Sequence, residues 1–132
     1  MIARSLSMLA AVQLFMTPLA ASALTATAHD CDEGADFIAN AARSRDNGLS
    51  SEAFFARFDG DLQLLQSLPP EMRWFVQDAD DEALLRSAAI EVFTAQRTPD
   101  EHAREFLARC RDAIDAAART HAPLPVGAAD AT

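Results

Sequence analysis

Apolar residues recur at helical spacing along most of the stretch between residues 30 and 120, and no segment alternates at the two-residue period of a strand. The first predicted helix runs from about Asp30 to Asn47. Phe37, Ile38, Ala41 and Ala42 mark its apolar face, while Asp30, Asp32, Glu33 and Asp36 crowd the end where carboxylates suit the helix dipole. Asn47-Gly48 stops it, since glycine readily adopts the left-handed conformation that a helix end often needs. Ser50 or Ser51 caps a second helix, and Leu49 and Phe54 are spaced as a hydrophobic staple if Ser50 is the cap. Phe54, Phe55, Phe58, Leu62, Leu65 and Leu68 form its apolar face, with Asp59-Gly60-Asp61 as a point where it could kink or split.

Pro69-Pro70 ends that segment, and Pro70 is placed to begin a short helix carrying Met72, Phe75 and Val76. The acidic run Asp78-Ala79-Asp80-Asp81-Glu82 lacks the glycine and distant glutamate of a calcium-binding EF-hand loop, so it reads as the start of the next helix. That helix, about Asp81 to Gln96, carries Leu84, Leu85, Ala88, Ala89, Ile90, Val92 and Phe93. Their arc covers more than half the circumference, which predicts the central, most buried helix. Thr98-Pro99-Asp100-Glu101 opens the last one with a capping box and a proline where its missing N–H is harmless. Ala103, Phe106, Leu107, Cys110, Ala113, Ile114 and Ala117 make one stripe, and Asp100/Arg104, Glu105/Arg109, Arg111/Asp115 and Asp115/Arg119 stand at i,i+4 spacing on the other side. The reading is all-α: a small bundle of four to five helices.

Composition agrees. The chain has 132 residues, 29 of them alanine and only four glycine, which favours helix. All 11 basic residues are arginine against 20 acidic ones, and the net charge of −9 argues against a nucleic-acid partner.

The N-terminus changes the picture more. Met1 to Ala28 holds one basic residue, Arg4, and no acidic one, and Leu6 to Leu19 is a mostly apolar run too short and too interrupted to span a membrane. Ala21-Ser22-Ala23 fits the small-residue rule for signal cleavage, with Ala26-Thr27-Ala28 ranked second. The expected organisation is a signal peptide at 1–23, a short segment at 24–29, a helical domain at 30–120 and a flexible tail at 121–132. Loss of Arg4 leaves a mature chain at −10, a charge that disfavours anionic membrane surfaces. The expected location is periplasmic or secreted.

Two cysteines, Cys31 and Cys110, remain in the exported part. In an oxidising compartment an even count predicts a disulfide, here tying the first helix to the last. A metal pair with His29, or a reactive thiol, would compete, but neither has the C-x-x-C spacing such sites usually show.

Catalytic chemistry is thin. His29 lies near the cleavage site, His102 in a helical first turn read as solvated, and His121 at the tail. No phosphate-binding glycine loop, nucleophile elbow or H-E-x-x-H pair occurs. No cofactor and no metal site is expected.

The segment Ala42-Arg43-Ser44-Arg45-Asp46-Asn47-Gly48-Leu49-Ser50, preceded by Cys31 and followed by the proline break and by Pro99, Phe106 and Cys110, resembles a group of small secreted two-cysteine helical proteins of proteobacteria. The similarity spans roughly residues 31 to 112. It implies the fold, export and the disulfide, and transfers no site. The chain departs from the pattern in having no tyrosine before the last helix, where Phe93 stands in. Arg45 and Asp46 carry the resemblance, and two readings stay open: a recognition surface beside the Gly48 turn, or bonds that finish the helix end and its turn.

The function expected is that of a non-enzymatic exported protein with an interaction or accessory role, toward a protein partner yet to be identified. Its candidate surface is Arg45, Asp46, Phe54, Phe55 and Trp74, with the alternative that the aromatic residues all belong to the core. The alternatives are an acid- or stress-responsive periplasmic chaperone, which carboxylate protonation would loosen, and a small hydrolase.

Overall fold

The computed structural model describes residues 26–122; the expected signal peptide, and the tail beyond Ala122, lie outside the described residues. Four helices follow in order: α1 Ala28–Asp46, α2 Ser51–Gln66, α3 Ala79–Thr94 and α4 Pro99–His121, with a single 3-10 turn at Pro70–Met72. No strand occurs among the described residues.

Local chemistry sets the ends. Thr27 caps α1, accepting from Asp30 N while the Asp30 carboxylate accepts from Thr27 N, so the helix starts two residues earlier than the acidic run suggested. Thr98 and Glu101 form the expected capping box on α4. Ser50 rather than Ser51 caps α2, and Asp78 caps α3 through Asp80 N and Asp81 N. Gly48, at φ 95°, closes α1: its N–H donates to Arg45 O, and Leu49 N donates to Ser44 O.

Three expectations need correction. Helix α2 runs unbroken through Gly60, because Phe58 and Leu62, one turn apart, are both buried and hold that face down. The short helix after Pro69 is only the 3-10 turn. Met72 is 66% exposed, while Phe75 and Val76 are buried in the irregular stretch beyond it. Side chains take over the task of ordering that stretch: the Arg73 guanidinium donates to Leu68 O and Gln66 O, and the Gln77 amide donates to Arg73 O and Trp74 O. The buried Asp81 carboxylate accepts from Gln77 N.

The third correction concerns the centre of the bundle. Helix α1, not α3, is the central element: it packs along α4 and against α3. Its interior face is built from small residues (Gly34, Ala35, Ala39, Ala41 and Ala42) around Cys31 and Ile38, so neighbouring backbones come close. The apolar arc of α3 overstates its burial, since Ile90 stays 47% exposed. Helix α2 stands apart, joined to the rest through its phenylalanine and leucine side chains rather than by close backbone approach.

Cys31 and Cys110 are joined as a disulfide, with Cα atoms 5.7 Å apart and both residues fully buried. Below it, a Cβ on Gly34 would sit 2.5 Å from Phe106 Cε1, and the Phe106 ring packs edge-on against Phe75 with centroids 5.5 Å apart. Arginines bridge helices instead of pairing along α4: Arg109 grips Glu91 through both terminal nitrogens at 2.8 and 3.0 Å, Arg97 meets Glu105, and Arg111 reaches Asp32. These partly exposed pairs set register more than they stabilise.

Candidate functional site

The five residues of the predicted surface fall into two groups. Arg45 and Asp46 belong to a polar node at the C-terminal end of α1. Phe54, Phe55 and Trp74 belong to a continuous series of aromatic rings.

In the polar node, the Arg45 side chain leaves α1 and finishes a different helix. Its Nη1 donates to Val92 O at 2.6 Å, with Ala95 O at 3.4 Å, and its Nη2 donates to Arg97 O at 2.9 Å. Those carbonyls belong to the last turn of α3 and the link to α4, where no intrahelical donor reaches them. The Asp46 carboxylate does not bond the turn's backbone; it accepts from Arg45 Nε and Nη2 and holds the guanidinium flat against its targets. Arg45 thus finishes the end of α3 rather than that of its own helix.

His102 completes this node, and its position corrects the sequence reading. It is buried, only 3% exposed, with Nε2 3.3 Å from both Arg45 Nη1 and Ala95 O. A signal existed: His102, Phe106 and Cys110 are spaced by four along α4 and share its buried face. Burial pushes the His102 imidazole below its ordinary pKa, the Arg45 and Arg97 charges push the same way, and the Ala95 carbonyl and Glu105 oppose them.

The sign follows from that depression. As pH falls below about 6.5, the ordinary value for histidine, the unfolded chain takes up a proton that the folded one resists. Stability is therefore full above that pH and falls until folded His102 itself titrates. Glu101 adds a second loss further into acid, because the Thr98 N–H, and then the Thr98 hydroxyl, hold its carboxylate below the usual range. The urea midpoint should drop between pH 7 and pH 5, and His102→Gln should flatten that part of the profile. An unchanged slope in the variant would remove His102 as its origin.

The aromatic series connects all eight rings among the described residues. Phe93 meets Phe54 and Phe55, both meet Phe58, and Phe58 meets Phe37. Phe37 meets Trp74 at 5.3 Å, and Trp74 leads through Phe75 to Phe106. One end is core: Phe75 and Phe106 are fully buried. The other is only half covered, with Phe37, Phe54, Phe55, Trp74 and Phe93 all at intermediate exposure.

Where α2 stands off, two of the half-covered rings, Phe37 and Trp74, help to line a groove of about 380 Å³. Phe37 of α1, Phe58, Leu62 and Leu65 of α2, Trp74 of the irregular stretch and Leu85 of α3 form its walls, and Asp61 and Leu64 of α2 complete the lining. This is the size range of ligand sites, and an apolar wall with few polar groups is their usual character. Leu64 is 64% exposed, which the sequence did not reveal because it lies beside, not on, the apolar face of α2. Phe54 and Phe55 sit behind Phe58 and do not line the groove; Trp74 does.

No group of three or more histidine, cysteine, aspartate or glutamate side chains suited to a metal ion occurs among the described residues. None of the described helices is long and apolar enough to cross a membrane. No family model, curated protein or solved structure matches the chain.

Proposed function

We propose that the chain is an exported, non-enzymatic binding protein that receives apolar side chains of a protein partner in the groove between α1, α2 and α3. The groove carries this reading: an open apolar trough walled by Trp74 and Phe37, with Leu64 exposed beside it, on a disulfide-closed scaffold. Exposed large apolar side chains next to a concave apolar wall mark interaction sites more often than they serve stability. The disulfide supports an oxidising destination. The Thr27 cap supports cleavage after Ala23, since a cut after Ala28 would remove the cap and with it about 1 kcal/mol of helix stability.

A second reading, the acid-responsive chaperone, is favoured by one observation: protonating His102 would set an imidazolium against the Arg45 guanidinium in a buried node. That contact would be the trigger for loosening the join between α1, α3 and α4.

The experiment is in-cell photocrosslinking from Leu64, with Asp112 of α4 as the control position, followed by intact-mass analysis of the exported protein. A discrete adduct from Leu64 alone, on a chain beginning at Leu24, is the expected result. Equal labelling at both positions, or none, would defeat the groove as a binding site. A retained N-terminus would defeat export by cleavage.

A further inference from the structure

We infer that the groove takes a cationic amphipathic segment of a partner protein, one in which bulky aliphatic side chains are flanked by lysine or arginine. This rests on the groove being a binding site and adds the chemistry of what fills it. Asp61 is the charged residue in an otherwise apolar lining, and it makes no ion pair with any described residue. A neighbouring cation is already engaged: Arg86 lies over the Phe58 ring at 5.1 Å, held by Asp59 at 2.7 Å and Glu82 at 3.2 Å. Arg73, next to Trp74, is taken up by the carbonyls of Leu68 and Gln66. The groove therefore presents apolar walls with an unanswered negative charge at their edge.

Charge also decides against a second copy as occupant. The chain bears a net −9, and two groove faces brought together would set Asp61 and its acidic neighbours against their own kind. A basic partner gains on both counts, since steering by the net charge raises encounter and Asp61 fixes register.

Trp74 is the single tryptophan and lines the groove, so its emission reports occupancy directly. The probes are three tryptophan-free 14-residue peptides of one helical pattern: leucine with lysine, leucine with glutamate, and serine with lysine. At near-physiological salt the leucine–lysine peptide should give a saturable blue shift and bind at least about tenfold tighter than either other. Asp61→Asn should weaken it about fivefold, and Asp112→Asn, an exposed charge on α4, should leave it unchanged. Sedimentation should show a monomer at the concentrations used.

If the serine–lysine peptide binds as well, or if both aspartate variants lose affinity equally, bulk charge is the cause and the inference falls. If the leucine–glutamate peptide binds as tightly as leucine–lysine, the groove survives as an apolar site but its cationic preference does not. If no leucine peptide moves Trp74 emission, or if the protein is a dimer through this face, the inference is overturned; the crosslinking result from Leu64 then separately decides the broader reading.

Discussion

Replacing both cysteines by alanine should lower the unfolding free energy by roughly 4–5 kcal/mol, read as a large fall in the urea midpoint. The figure comes from the ring that the bond closes: Cys31 and Cys110 are 79 residues apart, and untying them returns that much freedom to the unfolded chain. Small domains are stable by only about 5–15 kcal/mol, so this one bond accounts for a large share. Both sulfurs are fully buried between α1 and α4, and alanine leaves space there that adds to the loss. Reduction of the native protein should act in the same direction. Because α1 and α4 still face each other along their length, helix content at low urea should survive. A shift under about 1 kcal/mol would mean that packing alone holds the first and last helices together, and the ring contributes little.

Phe106→Ala should cost about 3–5 kcal/mol, the usual loss for a large aromatic removed from a fixed core. Its ring is fully buried, wedged between Gly34 of α1 and Phe75. Gly34 makes the more discriminating test. In isolation, alanine is the better helix former by about 1 kcal/mol, so Gly34→Ala would ordinarily stabilise. Here the added methyl would lie 2.5 and 2.7 Å from two atoms of a ring that Phe75 prevents from retreating. Overpacking of this kind costs about 1–3 kcal/mol and should outweigh the helix gain. In the Phe106→Ala background the obstruction is gone, and Gly34→Ala should turn neutral or stabilising. A double-mutant cycle in urea measures that sign change; additive effects would show that the two residues do not interlock.

The helices were largely legible in the sequence, because periodicity and caps are local. Thr98-Pro99-Asp100-Glu101 announced α4, Asn47-Gly48 ended α1, and the disulfide followed from an even count of two cysteines. What was misjudged depended on tertiary context. Hydrophobic arcs favour α3 as the centre, but the alanines and Gly34 of α1 win that place by letting other backbones approach. His102 reads as polar and near a helix start, yet it lies on the stripe of Phe106 and Cys110. Arg45 stood out in the sequence, but its targets, some fifty residues away, did not: no local rule links an arginine at the end of one helix to the last carbonyls of another. The groove was not legible in the sequence. Trp74 was singled out, but Phe54 and Phe55 proved to be supporting rings, while Asp61 and Leu64 gain meaning only from where α2 sits.

The covalent loop from Cys31 to Cys110 encloses α2, α3 and the irregular stretch with Arg73. A protease that nicks the backbone once inside that circuit liberates no fragment: the product gains one water in mass and migrates as a single species until its sulfurs are reduced. A chain delivered among hydrolytic enzymes would thus survive a lone cleavage as one connected molecule.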